Sequence, residues 1–352
     1  MTSSANDRKN PNMQLSVVIP IYNRARMLAQ ALESLRRQTY KDFAVIICDD
    51  ASTDSFKEVL EQFTDLKIEY HRYDANVGQF KNAMRGLEHC QTPFVKYLHS
   101  DDLLFPQAIK MQLKALQDVS KAAICLGGSI EFEELHDQHK VKLHSYQKPY
   151  VPALKTSQQW AKLEYYSGYL PSASIFRTEL LRDIGGFNTG LVGIADWEIF
   201  VALSSNHPVV AVDQPVCAYR FHPDQLTKNY FFDSEEAVLT KDLLWMTSNA
   251  NPYRERLGLP SDQLFFLRQD ILWQNLQIAL KSNRKLLLSN KWLKLAISSQ
   301  MLLPFILGFP LFAIRKLLRK PKVQSIENEA INRETYLEMI SEILFYSVSI
   351  SQ

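Results

Sequence analysis

Short apolar runs alternate with helix-period segments through the first third of the chain, and this alternation limits the possible folds more than any other feature. Leu15-Ser-Val-Val-Ile19, ended by Pro20, reads as a buried strand. Residues 25–38 carry Met27, Leu28, Ala31, Leu32 and Leu35 at helical spacing. Phe43–Cys48 is a second strand, with Asp49 and Asp50 at its carboxyl end. Ser52 or Thr53 is placed to cap a following helix with Phe56, Val59, Leu60 and Phe63 on one side. Lys67–Arg72, Phe94–Leu98 and Ala122–Leu126 are the next strands, and 79–89 and 106–117 the helices between them. Strands that alternate with helices form a largely parallel sheet covered on both faces. Right-handed crossovers then bring Asn23, Asp50 and Asp101 to one edge, where ligands of open α/β sheets bind.

The pattern loosens after residue 130. Phe132–Trp160 reads as irregular, Ser172–Phe176 as a strand, Thr178–Ile184 as a short helix and Asp196–Ser204 as a helix. Val209–Val212 and Val216–Phe221 read as two further strands. Beyond about 232 the chain reads as helical, over 234–248, 261–281 and an amphipathic stretch at 327–346. Residues 1–13 are polar and read as a disordered tail with no apolar signal region. Residues 295–314 carry no charge and are flanked on both sides by Lys and Arg. Ser298, Ser299, Gln300, Pro304, Gly308 and Pro310 interrupt them, which fits an interfacial or re-entrant helix on anionic lipid better than a span. A core helix pair broken at Pro304 is the other reading.

Hydrophobic residues make up 46% of the 352 residues and charged ones 22%, which excludes wholesale disorder. The net charge of +2 gives no footprint for nucleic acid. Cys48, Cys90, Cys125 and Cys217 form no Cys-x-x-Cys pair and sit among apolar neighbours. They read as small buried residues in a reducing compartment. The expected location is the cytoplasm, at the inner face of the cytoplasmic membrane.

Three polar motifs fall at strand ends: Pro20-Ile-Tyr-Asn23, Asp49-Asp-Ala-Ser-Thr-Asp54 and His99-Ser-Asp-Asp102. Taken singly, each aspartate is an ordinary turn residue, and Asp54 in particular is helix-start chemistry. Taken together, carboxylates at neighbouring strand ends repel unless a cation lies between them, and a divalent metal with oxygen ligands answers that.

These segments resemble glycosyltransferase family 2, the inverting nucleotide-sugar transferases of GT-A fold. The resemblance rests on residues 16–43, ICDDASTD at 47–54, NVG at 76–78 and YLHSDDLLFP at 97–106. A looser second block covers SASIFRTELLRDIGGFN at 172–188, ADWEIFVAL at 195–203 and YRFHPDQLT at 219–227. It implies a GT-A domain over 14–228, followed by a helical region over 229–352. It implies that Pro20, Tyr22, Asn23 and Asp50 form the nucleotide pocket, with Asn76 and Lys81 at its border. Asp101 and Asp102 would hold the ribose and the Mn2+ or Mg2+ on the diphosphate. Asp196 would be the general base toward the acceptor hydroxyl. Arg220 and His222 are candidates to clamp the diphosphate and to complete the metal's shell. His99 stands where the family usually has a carboxylate, which favours Mn2+ over Mg2+. Ala195 stands where relatives often have Glu.

The implied partners are a nucleoside-diphosphate sugar, UDP- or dTDP-linked, and a glycan or lipid-linked glycan acceptor of cell-surface polysaccharide synthesis, with peripheral membrane contact. Trp160, Tyr165, Tyr166, Tyr169 and Trp197 are candidates for an aromatic acceptor floor. A non-catalytic nucleotide-sugar or glycan-binding subunit of the same fold is the alternative. A sugar nucleotidyltransferase would be expected to show a Gly-rich loop, and residues 14–30 contain no Gly.

Overall fold

The structure is a computed structural model. It describes residues 13–135, 140–149, 170–225 and 332–346, together with 242 and 255. The proposed disordered tail (save Met13), the helices over 234–248 and 261–281, and the apolar segment 295–314 lie outside the described residues, as do Trp160, Tyr165, Tyr166 and Tyr169.

The alternation does build a helix-covered sheet. The strands are β1 (Leu15–Ile21), β2 (Phe43–Asp49), β3 (Ile68–Arg72), β4 (Phe94–Tyr97), β5 (Leu103–Leu104), β6 (Ile124–Leu135), β7 (Lys140–Gln147), β8 (Ser174–Arg177) and β9 (Val209–Phe221). The helices are α1 (Ala25–Arg36), α2 (Lys57–Leu60), α3 (Gln79–His89), α4 (Ala108–Asp118), α5 (Thr178–Asp183), α6 (Ala195–Asn206) and α7 (Arg333–Tyr346). Among the described residues the sheet order is β3-β2-β1-β4-β8-β6-β9-β5, with β7 added to β6. Pairing is parallel from β3 to β4. It turns antiparallel on both sides of β8, parallel again between β6 and β9, and antiparallel at β5 and β7.

The period of two along each strand separates the two core layers. Leu15, Val17 and Ile19 of β1 meet Leu28, Leu32 and Leu35 of α1, with Leu113 and Leu116 of α4 in the same layer. Val18, between them, points to the other face and packs with Phe80, Ala83 and Leu87 of α3 and with Ile199, Phe200 and Leu203 of α6. A third cluster joins Ile340, Ile343 and Leu344 of α7 to Leu103, Phe105, Ile130, Phe132 and Ala218. The amphipathic pattern at the C-terminal end therefore seats a helix on the sheet.

Three expectations are corrected. The stretch from Phe132 is not irregular at its start: β6 runs on to Leu135 and β7 pairs back along it. Val209–Val212 and Val216–Phe221 form one strand, because the register shift at Gly127/Gly128 of β6 absorbs the interruption at Pro215. Neither Ser52 nor Thr53 caps α2, whose N-cap is Phe56 without a side-chain bond.

Helix α3 lies close against β1 at Gly86, where a Cβ would stand 2.2 Å from Val18 Cγ1. Both backbones would have to part to admit a side chain. Gly86→Val should therefore lower unfolding free energy by about 2–3 kcal/mol, as overpacked cores do. Urea denaturation at matched m-value is the measurement that checks it.

Candidate functional site

The order of β1 between β2 and β4 makes the carboxyl end of β1 a switch point, the usual place for a crevice. A cavity of about 610 Å³ opens there. Four loops supply it, and each is held by bonds that reach across to another loop.

The first loop follows β1. Pro20 and Tyr22 are on the cavity wall, and Tyr22 is 45% exposed. Asn23 turns away. It adopts φ 50°, a left-handed conformation that asparagine tolerates better than most residues. Its N–H donates to Ser52 Oγ (2.9 Å), and its Oδ1 accepts from Thr53 N (2.7 Å) and Thr53 Oγ1 (3.1 Å). Asp54 does serve a helix start, but that of α1, by accepting from Ala25 N at 2.8 Å.

The second and third loops follow β2 and β3. Asp49 is fully buried and accepts from Ser52 N, Tyr70 Oη and Arg72 Nη1. Asp50 reaches the wall. Its carboxylate accepts from Val77 N (2.9 Å) and Gly78 N (2.9 Å) and pairs with Arg85 Nη1 at 2.9 Å. Gly78 needs its φ of 86° to turn both amides toward Asp50. Asn76 and Lys81 stand on the wall beside this loop.

The fourth loop carries the acidic motif after β4. Asp101 Oδ2 receives Arg24 Nη1 at 2.5 Å and lies 3.1 Å from His222 Nε2. Asp102 accepts from Ser172 Oγ (2.6 Å) and Arg220 N (3.2 Å). Burial, aided by the neighbouring Asp101 charge, pushes Asp102 up to about 8. Burial also acts upward on Asp101, but the His222 bond and the Arg24 charge outweigh it and hold that carboxyl below the usual range. The surroundings thus push the two carboxyls in opposite directions.

His99 Nδ1 lies 3.8 Å from Asp102 Oδ2, and Gln79 Nε2 meets its Nε2 at 3.1 Å. Burial pushes this imidazole down, so it is neutral at pH 7, the form that ligates metal. Ligand atoms of His99, Asp101 and Asp102 all lie within 4.8 Å of one another. Nδ1 of His222 is buried without a hydrogen-bond partner. An oxygen and nitrogen donor set with an excess of buried carboxyl groups fits a divalent cation.

Asp196 enters the same cavity from the first turn of α6. Its Oδ1 accepts from Trp197 N at 2.7 Å, and burial pushes its pKa up to about 6. The loop before it is tied by Asp242, whose Oδ2 accepts from Val192 N (2.9 Å) and Gly193 N (2.6 Å). Trp197 packs against the α3–α6 core layer.

Pro20, Tyr22, Asp50, Asn76, Lys81, Asp101 and Asp196 therefore share one cavity. Asn23, Asp102, His222 and Arg220 stand off its wall. The diphosphate-clamp reading of Arg220 does not survive its placement, for it is 2% exposed and faces the interior. Its Nε donates to Asp101 O (2.8 Å), its Nη1 to Glu134 (2.7 Å) and its Nη2 to Gln30 Oε1 (2.7 Å). Strand alternation puts Tyr219 on the wall instead. Sequence reasoning missed Arg24, Ser172, Gln79 and Asp242, each of which finds its partner across the fold.

Residues 16–185 match the model of glycosyl transferase family 2. An uncharacterized glycosyltransferase of Rickettsia conorii is 26% identical over 235 residues, 66% of this chain. The match spans 37% of that relative's own length. Staphylococcus aureus TarS 1–349, solved in complex with UDP-GlcNAc, superposes with a TM-score of 0.61 at 17% identity, covering 80% of this chain and 79% of that one. The mannosyltransferase PcManGT from Pyrobaculum calidifontis, solved with GDP-Man and Mn2+, gives 0.50 at 15% identity over 96% and 86%. The two structures share the fold.

Asn23→Ala should destabilise the protein by about 1–2 kcal/mol, since it removes two bonds to Thr53 and leaves alanine in a left-handed turn. Thermal unfolding of Asn23→Ala, set beside Asn23→Asp, reads this out.

Proposed function

Since residues 16–185 make this chain a member of glycosyltransferase family 2, we propose that it is an inverting transferase using a nucleoside-diphosphate sugar, with UDP or dTDP as the nucleotide. The acceptor is a hydroxyl of a glycan or lipid-linked glycan in cell-surface polysaccharide synthesis. One observation carries the reading: Asp50, Asp101 and Asp196, from three separate strand and helix ends, face one cavity. The UDP-GlcNAc complex of TarS supports a uridine nucleotide, and the Mn2+ of the mannosyltransferase supports manganese.

In this reading Asp50 and the Val77–Gly78 turn line the nucleotide end, with Tyr22 exposed beside them. Asp101 and Asp102, with His99 and His222, would hold the divalent ion. When bound, that ion neutralises the charge gathering on the departing diphosphate. Asp196 takes the proton of the acceptor hydroxyl as that oxygen attacks the anomeric carbon. The new C–O bond forms as the bond to the diphosphate oxygen breaks, so the anomeric centre inverts in a single displacement. A pKa of about 6 leaves Asp196 ionised at neutral pH yet basic enough to accept a proton.

Membrane-face location is part of the proposal. It is supported by the basic-flanked apolar sequence at 295–314. Among the described residues no helix is long and apolar enough to cross a membrane.

A thermal-shift screen against UDP, dTDP and GDP, each with Mn2+, Mg2+ or EDTA, tests donor binding. A metal-dependent rise with one nucleotide is expected, and no rise with any of them in folded protein would refute the reading. For the base, hydrolysis or transfer should fall tenfold per pH unit below about 6, since the proton-bound carboxyl cannot accept another. Asp196→Asn should lose at least about 100-fold in rate while keeping the nucleotide-induced thermal shift. Loss of that shift as well would assign Asp196 to binding instead.

A further inference from the structure

One oxygen of the acidic motif is already claimed by a cation. Asp101 Oδ2 takes Arg24 Nη1 at 2.5 Å, with His222 Nε2 at 3.1 Å on the same atom. Arg24 reaches it from the turn between β1 and α1, and its Nη2 donates onward to Asp224 O at 3.1 Å. A single guanidinium thus joins the first loop, the acidic loop and the loop after β9. It does so on the cavity wall, where both Arg24 and Asp101 line the open space.

The Asp101 carboxylate, partly buried at the cavity wall, needs a counter-ion. Arg24 supplies it. A divalent ion ligated by Asp101 would sit against the carboxylate that Arg24 already pairs with, and two cations held that close repel strongly. Entry of the ion therefore releases a guanidinium at the cavity wall, which then requires an anion of its own. A planar, always-charged group suits a phosphate oxygen pair.

We propose that Arg24 is a stand-in cation, holding Asp101 until a divalent metal arrives with a nucleoside diphosphate, and that this exchange couples the binding of the two. The inference rests on the reading of Asp101 as a metal ligand. It makes Arg24 a positioning residue whose effect appears in metal affinity before any chemistry. Nothing in a merely structural tie between the loops would produce that effect.

The test is a titration of the full chain with Mn2+, following free ion by electron paramagnetic resonance, with and without UDP, dTDP or GDP. Wild type should bind Mn2+ weakly alone and about tenfold tighter once the preferred nucleotide is present. Arg24→Gln should bind Mn2+ alone about tenfold tighter than wild type, and its gain from nucleotide should shrink correspondingly. Arg24→Lys, which keeps a cation at the site, should stay near wild type. Equal or weaker Mn2+ binding by folded Arg24→Gln would overturn the proposal, because a structural tie predicts that result. Wild-type Mn2+ affinity indifferent to all three nucleotides would overturn it too, whether or not the variant folds. A folded wild type that binds no Mn2+ under any condition would instead remove the metal reading itself, and this inference with it.

Discussion

Two carboxyl groups in sequence at a buried strand end, Asp101 and Asp102, set the terms for everything around them. Asp102 is fully buried and Asp101 borders the cavity, and side by side they cannot both ionise at low cost. The fold answers with asymmetry. Asp102 is given the Ser172 hydroxyl and the Arg220 amide, and burial raises its proton affinity. Asp101 is given the Arg24 guanidinium, with the His222 ring beside it. Beneath them Arg220 threads its guanidinium between Asp101 O, Glu134 and Gln30. It fixes the loop's height through a backbone carbonyl and so leaves the Asp101 side chain available to exchange partners.

That arrangement depends on the alternation of β9. Tyr219 faces the cavity and Arg220 faces inward because successive strand residues point to opposite sides. The register places Arg220 opposite Phe132 of β6, and Glu134, two residues further along that strand, meets the guanidinium. The hairpin of β6 and β7 is therefore part of the site's foundation, although no residue of β7 lines the cavity.

The parallel half of the sheet was legible because a strand covered on both faces is largely apolar, as LSVVI, Ser16 apart, and FAVIIC are. Strand ends were legible because polar residues gather where such a run closes, although β1 continues to Ile21 and β2 takes in the buried Asp49. This located Asp50 and Asp101 correctly. The β6–β7 hairpin was not legible, because the register shift between Ile130 and Phe132 breaks the alternation. Val141 and Leu143 keep a spacing of two, but the next inward residue is Tyr146. The strand then reads as irregular. Arg220 was misread because a sequence shows that a residue is charged and near a motif, and only register shows which face it takes. Arg24 and Asp242 left no signal, since their partners are the Asp101 side chain and the Val192 and Gly193 amides, far from them along the chain.

The site also shows how one residue type takes different tasks from its surroundings. Asp49 is fully buried and has every neighbour it can use, so it fastens loops. Asp50 is held by two amides and Arg85 and so is fixed in place on the cavity wall. Asp101 holds the Arg24 guanidinium. Asp196 has a single amide from the adjacent residue and enough burial to raise its proton affinity. It lines the same cavity as Asp101, on a helix start braced from behind by Asp242. A proton acceptor must be under-bonded to act, and its rigidity must then come from the backbone. The bonds from Val192 and Gly193 to Asp242 supply that rigidity without touching the carboxylate that needs to stay reactive.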